Sequence, residues 1–176
     1  FNFDDWFKTD GSQYDFLVDD GEEKTFGSLK LKGLATPGHT PACMSFLIGD
    51  ALFAGDAIFM PDMGTGRCDF PKGSATDLYN SITTKIYSLP DDTRVFVGHD
   101  YMPGGRELAW ESTVAEQKEK NIQLKSHTSE ADFVKFRTER DATLAPPRLI
   151  FQAVQVNANG GQLPPKEDNG FSFLKI

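Results

Sequence analysis

Apolar and polar positions alternate from Lys24 to Leu34 around a Gly27-Ser28 turn, and this predicts two short strands. Ala42–Ile48 reads as a third strand, which Gly49-Asp50 folds back in a tight hairpin onto Ala51–Ala54. The pattern then breaks. Residues 57–73 are rich in Gly and Pro and read as one long loop, a length that is usually functional or disordered. Ser74, with Asp77 three residues on, marks a helix start, and Leu78, Ile82, Ile86 and Leu89 recur on one face of a helix ending near Ser88. Leu89-Pro90-Asp91-Asp92-Thr93 leads into a buried strand, Arg94–Val97. The charged stretch 107–125 is predicted helical, with Leu108, Trp110, Val114 and Ile122 facing inward. Ser129 caps a helix from about Glu130 to Thr143, with Phe133, Val134 and Phe136 inside, and Ala145-Pro-Pro147 stops it. The apolar run Leu149–Val156 precedes a Gly/Pro-rich tail, and residues 1–23 read as loop with short extended pieces. No repeat or linker divides the chain, so an α/β domain spanning 1–176 is expected.

Composition narrows the function classes. A length of 176 residues with 39% hydrophobic content suits a globular domain with a proper core. The net charge of −8 argues against nucleic-acid and anionic-membrane partners. No apolar run reaches the roughly 18–20 residues of a membrane span, and no signal-peptide pattern opens the chain. Cys43 and Cys68 do not make a disulfide framework, so a cytoplasmic protein is expected.

Candidate chemistry gathers at the ends of apolar runs. Leu34-Ala-Thr-Pro-Gly-His-Thr-Pro41 holds His39 on a Pro- and Gly-bounded turn. Leu52-Phe-Ala-Gly-Asp56 ends in a carboxylate, and Val95-Phe-Val-Gly-His99 ends in a second imidazole. Strand ends hold side chains rigidly, and a Gly permits a sharp turn or close approach. Two imidazoles and a carboxylate converging there make a plausible metal site. Asp56 would be costly to bury unpaired, which a cation would compensate. The bland alternatives are a strand-end cap for Asp56 and a structural histidine held by Asp100 for His99. His127, in a polar loop, reads as a surface residue.

Within the long loop, Arg67 suits a fork to a substrate carboxylate, or a pairing with Asp62 or Asp69 that orders the loop. Cys68 reads as a small buried hydrophobe. Tyr101, two residues past His99, presents either a hydroxyl to the pocket or an amphipathic wall. There is no Ser-nucleophile elbow, P-loop or dinucleotide fingerprint.

Thr36-Pro-Gly-His-Thr-Pro41, Phe53-Ala-Gly-Asp56, Gly66-Arg-Cys-Asp-Phe70 and Gly98-His-Asp-Tyr101 resemble later motifs of the metallo-β-lactamase superfamily. Within it they are similar to persulfide dioxygenases and to the bacterial β-lactamase-like hydrolases of sulfide-detoxification operons. The resemblance implies the αββα sandwich fold, with this chain as the C-terminal portion and the N-terminal part missing. It implies a mononuclear iron(II) site with His39 and Asp56 as ligands, and His99 lining a second-metal position. Arg67 and Tyr101 would meet the glutathione part of the substrate. The implied reaction oxidises glutathione persulfide to sulfite and glutathione.

The family's His-x-His-x-Asp-His motif has no counterpart in residues 1–38, which hold no His. The expectation is that this chain alone is inactive and that activity needs an upstream His-rich segment. Two rivals stand beside the dioxygenase: a glyoxalase II-like thioester hydrolase working with zinc, and a degenerate domain that binds a thiol or protein without turnover. The sequence leaves a homo-oligomer open.

Overall fold

A computed structural model of the chain describes residues 10–172. The first nine residues of the loop expected over 1–23 lie outside that range. By its contacts the chain divides into two compact units, residues 18–144 and the combined ends up to 17 and from 145.

The larger unit carries one six-stranded sheet in the order β1-β2-β3-β4-β5-β6. The strands are β1 (Glu23–Phe26), β2 (Leu29–Ala35), β3 (Met44–Ile48), β4 (Ala51–Phe53), β5 (Arg94–Phe96) and β6 (Glu111–Thr113). All neighbours run antiparallel except β4 and β5, which are parallel. The alternation around Gly27-Ser28 and the Gly49-Asp50 hairpin thus give the predicted strands, with β3 starting two residues later than expected.

The parallel step needs a crossover, and residues 54–93 supply it. Ser74 caps α1 (Ala75–Ser81) by accepting from the Asp77 amide at 3.1 Å. The expected face then continues differently. Ile82–Ile86 winds as a π-helical turn, with the Tyr87 amide reaching back to the Ile82 carbonyl at 2.8 Å. Leu78, Ile82 and Ile86 are nevertheless fully buried, beside Leu52 of β4 and Val95 of β5. Phe133 and Val114 close the same core, with the Tyr79 and Phe133 rings 5.9 Å apart.

The helix predicted over 107–125 is shorter than expected. Only α2 (Val114–Lys120) is helical, because Glu111–Thr113 pairs with β5 and Thr113 caps the helix by accepting from the Glu116 amide. Of its four inward candidates only Val114 is buried; Leu108, Trp110 (58%) and Ile122 are exposed. Asn121 ends the helix and accepts from the Gln123 and Leu124 amides, which turns Leu124 rather than Ile122 into the core. α3 (Glu130–Asp141) starts at the Ser129 cap as predicted. Phe133 is buried, but Phe136 is 40% exposed, because the inward stripe runs at intervals of four through Phe133, Arg137 and Asp141.

In the smaller unit, Leu149–Val156 becomes α4 (Ile150–Asn157). Gln13 and Tyr14 donate to the Ala158 and Asn157 carbonyls at its end. Among the described residues no helix is long and apolar enough to cross a membrane.

Candidate metal centre

The register of β4 and β5 places two of the three candidate ligands. Phe53 pairs with Phe96 in the parallel ladder, and Asp56 and His99 each lie three residues beyond that pair. The Gly98 amide extends the ladder by donating to the Gly55 carbonyl at 3.3 Å. Both side chains therefore leave the carboxyl ends of adjacent parallel strands, where open α/β sheets gather their ligands.

His39 arrives from the turn after β2. Gly38 has φ +140°, and a Cβ there would sit 2.4 Å from the Cα of Leu78, so only glycine lets this turn lie on α1. The turn is tied down twice more: the Ser74 amide donates to the Gly38 carbonyl at 2.8 Å, and the Ser81 hydroxyl donates to the Pro37 carbonyl at 2.7 Å. The motif that fixes the histidine also docks it along α1.

The three groups meet. His39 Nε2 lies 3.5 Å from Asp56 Oδ2, and His99 Nε2 lies 3.4 Å from Asp56 Oδ1. Each imidazole faces its own carboxylate oxygen. His39 Nδ1 is 2.6 Å from the Arg67 carbonyl. A carbonyl accepts only from N–H, so Nδ1 carries a proton and Nε2 is the nitrogen that faces Asp56. Two ligands of a tetrahedral ion with bonds of roughly 2.0–2.2 Å lie about 3.4 Å apart, which is the spacing both pairs show. The donor set fits a metal ion but is partial. Among the described residues no group of three or more His, Cys, Asp or Glu side chains is arranged to hold a metal ion. His39 and Asp56 make one pair of donors, and His99, 58% exposed at its side chain, stands at a second position on the far oxygen.

The long loop forms the wall. A cavity of about 300 Å³ is lined by His39, Asp56, Phe59, Arg67, Tyr101 and Arg140, among others. Phe70 packs edge-on against His39 at 5.0 Å, and Phe59 packs edge-on against Tyr101 at 5.5 Å. Arg67 forms a two-bond fork with Asp69 and lies over the Phe70 ring at 5.2 Å. Of the two acidic partners considered for it, Asp69 is the one it meets. Asp62 instead pairs with Arg106, which also grips Asp100 through two bonds of 2.7 Å. Asp100 therefore does not hold His99. The Arg106 guanidinium, with the Ala109 and Met102 amides, holds the Asp100 carboxyl well below the usual carboxylate range. Burial, then the Asp56 carboxylate, pushes the Tyr101 hydroxyl upward. Cys68 is buried, and burial raises its thiol to about 12, so it is the inert small side chain expected. His127 is exposed in its loop, as read from the sequence.

Several residues that organise the site escape the motif reading. Gln117, Asn121 and Gln123 donate side-chain amides to the Phe59, Gly64 and Met63 carbonyls, so the 57–73 loop is ordered from outside itself. Arg137 and Asp141 form a buried ion pair behind it. The available signal was an opposite-charge pair at i and i+4, set four residues beyond Phe133.

The chain is similar to known proteins in sequence and in structure. A family model described as the metallo-beta-lactamase superfamily matches residues 4–99. Glyoxylase B2 of Dictyostelium discoideum is 50% identical over all of this chain and 60% of its own length. The mitochondrial persulfide dioxygenase ETHE1 of Homo sapiens is 37% identical over 88% of this chain and 58% of its own length. The crystal structure of ETHE1 from Myxococcus xanthus superposes with a TM-score of 0.72 at 39% identity, covering 82% of this chain and 60% of that one. The chain thus spans about 60% of the length of these relatives.

Proposed function

The chain belongs to the metallo-β-lactamase superfamily, with its mixed α/β fold, and on that premise we propose that the protein is an iron(II)-dependent sulfur dioxygenase. Its substrate is glutathione persulfide, or another small thiol-derived persulfide. One persulfide, one dioxygen and one water give glutathione, sulfite and two protons. The observation that carries this reading is the meeting of His39 and Asp56, with His99 on the other carboxylate oxygen. The likeness to persulfide dioxygenases in sequence and in structure supports the choice of reaction.

His39 and Asp56 would hold iron(II), which would supply the redox chemistry that joins dioxygen to a persulfide sulfur. The chain's own residues prepare that encounter. The Arg67 carbonyl fixes the His39 tautomer, and Asp56 contributes the negative charge a cation needs. Phe59 and Met63 give the cavity apolar walls that limit water near the sulfur. Arg67 and Tyr101 line the same cavity and are the residues we assign to the thiol-bearing part of the substrate. A reducing compartment, the cytoplasm in this reading, suits Cys43 and Cys68, neither of which is in a disulfide.

The relative named glyoxylase favours a second reading, a zinc-dependent thioester hydrolase acting by a metal-activated water. Metal analysis of the protein expressed from its whole reading frame, with oxygen uptake on glutathione persulfide, separates the two. About one iron per chain and persulfide-dependent uptake are expected, and His39→Ala should abolish both. Two zinc ions with thioester cleavage and no uptake would establish the hydrolase. Metal-free protein that still binds a thiol without turnover would establish a non-catalytic binding domain.

A further inference from the structure

Resting on the reading of His39 as a metal ligand, we propose that Asp141, held by Arg137, is a positioning residue that acts on His39 through the peptide unit between Arg67 and Cys68. Both ends of that one amide are engaged. Its carbonyl oxygen lies 2.6 Å from His39 Nδ1, and its N–H donates to Asp141 Oδ2 at 2.7 Å. The two oxygens of Asp141 have separate partners. Oδ2 takes the amide, while Oδ1 takes Arg137 Nε at 3.0 Å and Nη2 at 2.6 Å.

Burial makes this arrangement consequential. Arg137 is 3% exposed and Asp141 5%. A carboxylate so placed is tolerated only beside a cation that is itself held in place. Arg137 meets that condition, because its Nη1 donates to the Thr65 carbonyl at 3.2 Å and to Gln123 Oε1 at 2.9 Å. The sequence of contacts runs from guanidinium to carboxylate, to amide, to imidazole. A charged acceptor on the amide N–H polarises the peptide and strengthens its carbonyl as an acceptor. That carbonyl keeps a proton on His39 Nδ1 and turns Nε2 toward Asp56. The amide has little room to swing, since the preceding Gly66 lies against the Asp56 carbonyl.

A merely structural ion pair would change stability and leave His39 alone, so the test reads His39. Asp141→Asn removes the charge from the relay. Arg137→Met/Asp141→Asn removes both charges together and avoids stranding a buried guanidinium, which keeps the test open if the single variant does not fold. In each, with His39→Ala in parallel, zinc and iron(II) affinity is measured by chelator competition, and the His39 tautomer is read by imidazole nitrogen-15 NMR of the metal-free protein. We expect a loss of metal affinity of about 10–100-fold and a mixed tautomer in place of pure Nδ1–H. A folded double variant with wild-type affinity and the pure Nδ1–H tautomer overturns the relay while leaving the ligand reading intact. Metal retained by His39→Ala overturns the ligand reading, and the relay's purpose with it.

Discussion

A single methyl group added at Gly66 should disable the site while leaving the rest of the fold in place. A Cβ there lies 2.0 Å from the Asp56 carbonyl oxygen and 3.3 Å from His39 Nδ1. The Gly66 backbone is not in the left-handed region, so alanine suffers no conformational penalty. With room to spare, Gly66→Ala would stabilise by about 0.4–1 kcal/mol through the unfolded chain. There is no room. Ordinary contact begins near 3.4 Å, so the methyl and the Asp56 peptide must separate by 1.4 Å (3.4 − 2.0). The obstructing atom is the backbone carbonyl oxygen of Asp56, a residue that is itself a candidate ligand. Forcing extra volume into such packing costs about 1–3 kcal/mol, so the clash outweighs the entropic gain. A net loss of about 1–2 kcal/mol lowers Tm by roughly 2–8 °C in a domain of this size. The larger effect falls on chemistry. A shift of 1.4 Å (3.4 − 2.0) in the 66–67 backbone would break the 2.6 Å contact to His39, and displacement on that scale costs about a hundredfold in rate. Scanning calorimetry with metal stoichiometry and kcat for Gly66→Ala reads both effects. A variant as stable as wild type, with full metal and unchanged kcat, would refute the steric reasoning.

Three further outcomes follow from the same geometry. Arg67→Ala should leave bound metal unchanged and raise KM for the persulfide severalfold; an unchanged KM would mean that the fork to Asp69 serves only the loop. Asp100 titrates below its ordinary value in the folded protein because Arg106 and two amides hold its charged form. The stabilisation is therefore present above the unfolded carboxylate value of about 3.9 and is lost as pH falls below it. Limited proteolysis should find residues 98–110 protected at pH 5 and exposed only below about pH 4, and cleavage there already at pH 6 would contradict the assignment. Alkylation of native protein at pH 8 should spare Cys68, whose thiol burial pushes to about 12; rapid labelling of it by mass spectrometry would show that the loop opens.

The strands around Gly27-Ser28, the hairpin and the helix start at Ser74 were legible because each rests on short-range chemistry: alternation, a turn-forming Gly and a capping hydroxyl. The meeting of His39, Asp56 and His99 was legible for the same reason, each ending an apolar run at a Gly. Other features depend on partners far away in sequence. Glu111–Thr113 looks like part of a charged helix until β5 is beside it. Leu78, Ile82 and Ile86 carry the helical period into the core, yet nothing local announces the π turn at Ile82–Ile86. Arg137 and Asp141 look like a solvated pair, and only the Cys68 amide and the Thr65 carbonyl reveal their burial. The partners of Arg67 and Asp62 could be narrowed to a short list by sequence, but the choice was made by Arg106, brought in from a distant loop.

The parallel pairing of β4 with β5 carries a consequence for how this chain can vary. Because Asp56 and His99 are spaced by a ladder and not by the connection between them, residues can be added at the Pro90–Thr93 turn without changing their separation. Deleting one residue inside β5 would do the opposite, turning Val95 out of the core and carrying His99 to the other face of the sheet. Length variation across homologous chains, and insertion tags chosen by an experimenter, should therefore concentrate in the crossover and avoid the three-residue steps that lead from each strand to the site.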